Sequence, residues 1–224
     1  MTSEAMDWDS AYRGEGAFSG PPPWSIGEPQ PELAALHRAG RFRSDVLDAG
    51  CGHAELALAL AEDGYTVVGL DISPTAIAAA NQAAQLRGLA SASFAQADIT
   101  SLTGYAGRFR TILDSTLFHS LPVEGRDGYL RSIHRAAAPG AVLFILAFAK
   151  GAFPPHLEAK PHEVEEAELR DAVSQHWTVD DIRPAFIHAN ALQMPNAPAG
   201  MPYEQDDKGR SKFPALLLTA HKPE

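Results

Sequence analysis

One short stretch limits the fold more than any other. Val46-Leu47-Asp48-Ala49 reads as the end of a buried strand, Gly50-Cys51-Gly52 as a tight turn, and Ala54 to Glu62 as a helix rich in Ala and Leu. Gly50 and Gly52 let the backbone turn sharply and approach a ligand closely. The helix that follows presents free N–H groups and the positive end of its dipole. A strand that feeds a helix through a glycine turn belongs to an α/β sheet, and the rest of the chain keeps that rhythm. Thr66 to Leu70 reads as a strand and Pro74 to Arg87 as a helix, with Ser73 as N-cap and Gly88 as C-terminal stop. Strands follow at Ser91–Gln96 and Phe109–Leu113, then a helix over Arg126–Ala138 that ends at Pro139-Gly140. Ala141–Ala149 is a nearly continuous apolar run, as in a central parallel strand.

The alternation predicts a doubly wound, mostly parallel sheet. It breaks near the end. Val164–His176 reads as a helix, Trp177–Pro184 as a strand and Phe213–His221 as another, with no helix between the last two. Two such strands are most simply antiparallel. The cluster Glu163, Glu165, Glu166 and Glu168 reads as a solvated helix face.

Before Ser44 the composition differs. Trp8, Tyr12, Phe18 and Trp24 are spread among Gly and Pro, and Pro31 opens a short helix through His37. So many large aromatics argue against a disordered tail. We expect residues 1–40 to form a cap over one main domain, residues 41–224.

Composition removes several classes of function. Eighteen basic against 28 acidic residues give a net charge of −10, which repels phosphate backbones. One cysteine rules out a disulfide framework and a cysteine zinc site. No secretory leader opens the sequence, and no apolar run reaches about 18 residues. The expectation is a cytoplasmic protein, monomer or homodimer, that binds neither nucleic acid nor membrane.

Asp71 lies nineteen residues after Gly52, at the tip of the second strand, where a carboxylate can accept both hydroxyls of a ribose. Asp48 at the end of the first strand would repel a pyrophosphate and stabilise an ammonium. That combination fits S-adenosylmethionine better than a dinucleotide. These residues resemble motif I of the class I S-adenosylmethionine-dependent methyltransferases. Asp48, Gly50 and Gly52 fall on its acid-x-Gly-x-Gly, with Ala54 where a third glycine is usual.

The resemblance implies a Rossmann-like sheet of seven strands, mostly parallel, with the last strand antiparallel. It also implies S-adenosylmethionine as cofactor and S-adenosylhomocysteine as product. Asp71 and Ile72 would then hold the ribose side, Asp98 and Ile99 the adenine, and Asp114 and Ser115 the methionine and substrate side. Cys51 sits in the turn itself. Trp8, Tyr12 and Trp24 before motif I are similar to the cap of thiopurine-methyltransferase-like enzymes, and Leu113 to Leu121 resembles the fourth-strand loop of a narrower group. That group, to which the cap residues are closer still, is the small actinobacterial heterocyclic-toxin (hydroxyquinolone) methyltransferases. In these the aromatic cap covers the cofactor, which adds Trp24 to the cofactor-binding candidates.

Methyl transfer from a sulfonium mainly requires that nucleophile and methyl be held in line and water kept out. A base matters only for a weakly acidic acceptor. His119 is the candidate base, although a loop histidine packing under the sheet remains open. His53, beside the turn, reads as meeting solvent or a helix end. Trp8, Tyr12, Trp24, Phe118, His119 and Phe153 are candidate walls for an aromatic acceptor, or ordinary core. Met194, Met201 and Tyr203 could close the pocket, and the stretch with His156 and His162 could form a lid. No carboxylate set is placed for a metal. The expected function is methyl transfer to O, N or S of a small aromatic or heterocyclic acceptor, in detoxification or secondary metabolism. The rivals are a protein or RNA methyltransferase, a non-catalytic S-adenosylmethionine sensor, and a nicotinamide-dependent reductase.

Overall fold

The computed structural model describes residues 6–15, 21–155, 157, 161–190 and 203–224. Phe18, His156, Met194 and Met201 lie outside the described residues. Seven strands form one sheet: β1 Val46–Ala49, β2 Val67–Asp71, β3 Ala92–Gln96, β4 Phe109–Ser115, β5 Ala137–Phe148, β6 Thr178–Ala189 and β7 Ser211–His221. Their order is β3-β2-β1-β4-β5-β7-β6. β7 runs antiparallel to both β5 and β6, and the other pairs are parallel. The sheet is therefore the Rossmann-like, mostly parallel sheet with a reversed last strand.

Among the described residues six α-helices pack around it: α1 Trp8–Tyr12, α2 Pro31–Arg38, α3 Glu55–Glu62, α4 Pro74–Arg87, α5 Val123–Ala136 and α6 Glu166–Ser174. Successive strand residues point to opposite faces. On β1, Val46 joins one core with α3, while Leu47 and Ala49 join the other with α5. Both faces of β1 are buried, which is why the stretch is apolar without alternation except at Asp48.

Local signals set most boundaries. The Ser73 side chain caps α4 by accepting from the Ala76 amide at 3.1 Å, and Gly88 closes it in the left-handed region at φ 67. Several boundaries differ from the sequence reading: β5 begins four residues earlier than Ala141, β6 runs on past Pro184 to Ala189, β7 begins at Ser211, and two helices shift. The helix expected over Arg126–Ala138 begins earlier, at Val123 behind Pro122, and ends at Ala136. Pro139 disfavours a helical conformation at the residue before it, and β5 has already begun at Ala137. The helix expected from Val164 begins at Glu166, because Val164 instead bridges to Ala149 beside β5. The glutamates there do more than solvate a face. Glu165 and Glu168 form a reciprocal capping box, and Glu168 also pairs with Arg126 at 2.5 Å.

The N-terminal segment is tied to both ends of the sheet. From α1, the Asp9 carboxylate accepts from Ser73 Oγ at 2.7 Å and from the Thr75 amide at 3.0 Å, at the start of α4. At the other end, the Gln30 side chain satisfies both main-chain groups of His188 on β6. Gln30 Nε2 donates to the carbonyl at 2.9 Å, and the His188 amide donates to Gln30 Oε1 at 2.8 Å. β6 is an edge strand, so a side-chain amide here takes the place of a neighbouring strand. Among the described residues no helix is long and apolar enough to cross a membrane.

Candidate active site

The site lies at the carboxyl ends of β1, β2 and β4, where the strand order reverses. The turn after β1 is locked to the end of β2. The amides of Gly50 and Cys51 both donate to the Leu70 carbonyl, at 2.8 and 3.0 Å. The Gly52 amide donates to Asp71 Oδ2 at 2.9 Å, and the Ser73 amide donates to Asp71 Oδ1 at 2.9 Å. Asp71 thus ties the turn to the start of α4. Burial raises its pKa, and the amide hydrogen bonds oppose that rise.

Gly52 is required on two grounds. Its φ is +53°, and a Cβ there would sit 2.4 Å from Tyr12 Oη. Two residues on, Ala54 holds the left-handed region at φ 63 in place of a glycine, a strained choice for a residue with a Cβ.

A narrow cleft opens beside this turn. Its floor is Asp48, Gly50, Cys51, Gly52 and Glu55, with Ser115 and Thr116 from the end of β4. The opposite wall is the cap: Tyr12, Trp24, Ser25, Glu28 and Gln30. Asp48 is buried, and burial pushes its carboxyl up to about 7, with the Glu55 charge the next cause. A buried carboxylate beside a second acid is relieved by a cation, so the floor fits an ammonium group. Burial also raises the Cys51 thiol well above its ordinary range.

Tyr12 is the contact between cap and turn. Its hydroxyl lies over Gly52 and accepts from Trp24 Nε1 at 3.4 Å, and its ring meets His53 edge-on at 4.9 Å. Trp8 packs edge-on against Trp24 at 5.9 Å. Glu28 is held by Lys208 at 2.6 Å and by Arg210 at 2.6 Å. Arg210 Nε donates in turn to Asp206 at 2.7 Å.

The structure brings Tyr12, Trp24, Asp48, Gly50, Cys51, Gly52 and Ser115 together around the cleft, with Asp71 behind the turn. Ile72, Asp98 and Ile99 gather beside Asp71, where the Ala97 amide donates to the Asp71 carbonyl at 2.9 Å. Ile72 is 54% exposed, an unusual position for an isoleucine at a strand end. Asp98 caps the short turn Ile99–Ser101, accepting from the Thr100 amide at 2.9 Å.

Other candidates fall elsewhere. Asp114 faces away from the cleft. It shares strand parity with Ile112, on the face that packs on α5, whereas Ser115 has the opposite parity. Asp114 accepts from the Leu117 amide at 2.8 Å and from Tyr129 Oη at 2.8 Å, and burial raises it to about 7. Phe118 is fully buried on that same face. His119 and Phe153 join the packing around Phe148 rather than the cleft wall.

His53 faces the cleft, with Nδ1 3.2 Å from Ser25 Oγ, rather than solvent alone. Ser25, Glu28, Gln30 and Glu55 were not singled out by the sequence, whereas Thr116 follows Ser115 at the strand end and does reach the cleft. Thr116 sits at φ +77°, an outlier for a β-branched residue, and nothing local announces it.

A family model described as "Methyltransferase domain" matches residues 43–195. The chain is 51% identical to a 2-heptyl-1-hydroxyquinolin-4(1H)-one methyltransferase of Mycobacteroides abscessus, over 99% of this chain and 100% of that protein. A solved structure from work on the conversion of a disulfide bond into a thioacetal group during echinomycin biosynthesis superposes with a TM-score of 0.82. It is 35% identical and covers 96% of this chain and 91% of its own. The 1,6-didemethyltoxoflavin-N1-methyltransferase of Burkholderia thailandensis, with 1,6-didemethyltoxoflavin and S-adenosylhomocysteine bound, superposes with a TM-score of 0.61. At 24% identity over 87% of this chain and 77% of its own, it speaks for the fold.

Proposed function

The chain belongs to the methyltransferase-domain family, and we propose that it transfers a methyl group from S-adenosylmethionine to an oxygen, nitrogen or sulfur of a small aromatic heterocycle. The observation that carries the acceptor class is the cleft itself, with main chain and carboxylates on one side and a cap bearing Tyr12 and Trp24 on the other. The M. abscessus relative, named for a hydroxyquinolone, supports the same class.

When bound, S-adenosylmethionine supplies a methyl group already activated on a sulfonium. The chain's part is to hold and exclude. Asp71 accepts the ribose hydroxyls. The Gly50–Gly52 main chain lies against the nucleoside, and Ile72, Asp98 and Ile99 hold the adenine. Asp48 neutralises the ammonium, beside Cys51 and Ser115. Asp114 acts from behind, by fixing the turn through Leu117 and Phe118. Residues 1–40 act as the cap on the domain of residues 41–224. Trp8, Tyr12 and Trp24 wall the acceptor, while Phe118, His119 and Phe153 act as packing behind the site.

The test is a mass-spectrometric screen with S-adenosylmethionine and a panel of hydroxyquinolones, phenols, thiols and aryl amines. A product heavier than its acceptor by one methylene is expected from at least one heterocycle. No product from any member, with cofactor binding intact, sinks the reading in favour of a macromolecular acceptor or a sensor.

A further inference from the structure

Three residues of the cleft lining stand in left-handed backbone: Gly50 at φ +69°, Gly52 at +53° and Thr116 at +77°. Glycine adopts that region without steric cost. Thr116 is β-branched, and such strain persists only where the surroundings over-determine it. Here they do. Ser115 ends β4, and the Thr116 amide donates to the Leu146 carbonyl on β5 at 3.0 Å. Beyond it, the Asp114 carboxylate draws back the amides of Leu117 and Phe118, at 2.8 and 3.2 Å. The Thr116 carbonyl accepts from Ser120 Oγ at 2.9 Å. The chain turns at Thr116 between two fixed ends.

That turn does not need a threonine. Both hydrogen bonds made by Thr116 are main-chain, and glycine would make them without strain. What threonine adds is a half-buried side chain at the cleft. Other polar side chains there are engaged within the chain: Tyr12 with Trp24, Ser25 with His53, Glu28 with Arg210, and Gln30 with the His188 main chain. The hydroxyls of Ser115 and Thr116 have no hydrogen-bond partner among the described residues. Ser115 is already given to the cofactor's ammonium in the reading above. Thr116 is left, beside the first-strand turn: its neighbour Leu117 packs on Gly50, where an added Cβ would come within 3.0 Å. A hydroxyl can donate or accept, so it serves a neutral or an ionised ligand atom alike.

We infer that Thr116 is a positioning residue that sets specificity: its hydroxyl hydrogen-bonds the nucleophilic atom of the acceptor, and the left-handed strain is kept for that contact. The inference rests on the methyl-transfer reading above. A flat ring held between aromatic walls can slide in its own plane. One hydrogen bond at its polar atom stops the sliding and fixes the line from that atom to the methyl group. Sulfur is a weak hydrogen-bond partner, so the contact favours oxygen and nitrogen nucleophiles over thiols. The strain is carried by the fold, so stability and acceptor use are opposed at this one residue.

The test compares three variants. Thr116→Gly relieves the strain and removes the hydroxyl. Thr116→Val keeps the branch and the strain without the hydroxyl, and Thr116→Ser keeps the hydroxyl without the methyl. Each is measured for melting temperature, for S-adenosylhomocysteine affinity by calorimetry, and for methyl transfer to the hydroxyquinolones, phenols and thiols of the panel above. The glycine variant should melt higher than wild type. Glycine and valine variants should both lose about tenfold in kcat/KM for hydroxyl acceptors, the worth of one hydrogen bond, and less for thiols. Thr116→Ser should recover most of that loss. S-adenosylhomocysteine affinity should be unchanged throughout.

A glycine variant that is more stable and as active as wild type overturns the inference, because the strain would then serve nothing in the reaction. So does a glycine variant that melts lower, which assigns the threonine to packing. A valine variant with wild-type kcat/KM, or equal losses for hydroxyl and thiol acceptors, overturns the role of the hydroxyl. Cofactor affinity that falls in step with kcat/KM assigns the hydroxyl to the cofactor and overturns its contact with the acceptor. Product from no member of the panel with wild type, while S-adenosylhomocysteine binds, overturns the methyl-transfer reading itself. Product that none of the three substitutions alters overturns only the role of Thr116.

Discussion

The two sides of the cleft are built from different materials. The floor is built on main chain, the turn after β1, pinned by three of its amides to the Leu70 carbonyl and the Asp71 carboxylate. The opposite wall is side chain, made by a cap that reaches the sheet through Asp9, Gln30 and Glu28. The floor's partners lie within about one βαβ unit. The wall's partners are as far apart as 182 residues, from Glu28 to Arg210. A main-chain turn fixed by a single carboxylate presents the same donors whatever its other side chains are, so it suits a part of the ligand that never varies. A side-chain wall can be rebuilt one residue at a time, so it suits the part that does.

The comparison can be broken first where the two sides touch. Gly52→Ala puts a Cβ against Tyr12 Oη and a side chain in the left-handed region, which costs about 1–2 kcal/mol from the backbone alone. We expect S-adenosylhomocysteine affinity to fall by more than tenfold. In a Tyr12→Phe background the nearest ring atom is 3.2 Å away, and part of the loss should return. Equal losses in both backgrounds, measured by calorimetry, would show that the cap does not rest on the turn.

A smaller effect separates the sides by pH. Asp48 is raised in the folded chain, so its neutral form favours folding. That contribution is complete below the unfolded pKa near 4 and is lost as pH rises through about 7. Asp114, raised to about 7 by burial, acts in the same direction. The ligand-free melting temperature should therefore fall between pH 5 and pH 8. Asp48→Asn should flatten that fall and also weaken cofactor binding. A wild-type melting curve that rises over this range would contradict the burial of these acids.

The smallest effect sharpens the floor alone. Ala54→Gly relieves the left-handed strain and should stabilise the fold by about 1 kcal/mol, with acceptor preference unchanged. Denaturant unfolding that shows destabilisation would mean Ala54 contributes more by its methyl packing than it costs in strain.

What the sequence made legible follows the same division. Ser73, Gly88, Asp48 and Asp71 carry local signals, because a cap, a stop or a turn is decided within a few residues. Asp114 was legible as a strand-end acid but not in its direction. Its boundary position hid that one step of strand parity turns it toward Tyr129 and Ser115 toward the cleft. His119 was legible as a histidine near the site, yet its place is set by Phe148, whose amide donates to Nδ1 from another strand. Gln30 replaces a strand neighbour for His188, 158 residues away, and no local pattern encodes that.

The division is tested most directly by two variants side by side, Asp71→Ala in the floor and Glu28→Gln in the wall. For each, S-adenosylhomocysteine affinity would be measured by calorimetry and acceptor KM by methyl transfer. Asp71→Ala removes one charged hydrogen bond to the turn and one to the start of α4, so cofactor affinity should fall by about a hundredfold or more. Glu28→Gln should leave that affinity unchanged and raise acceptor KM several-fold. Two variants that shift both quantities in the same proportion would contradict the account, because the floor and the wall would then be one site.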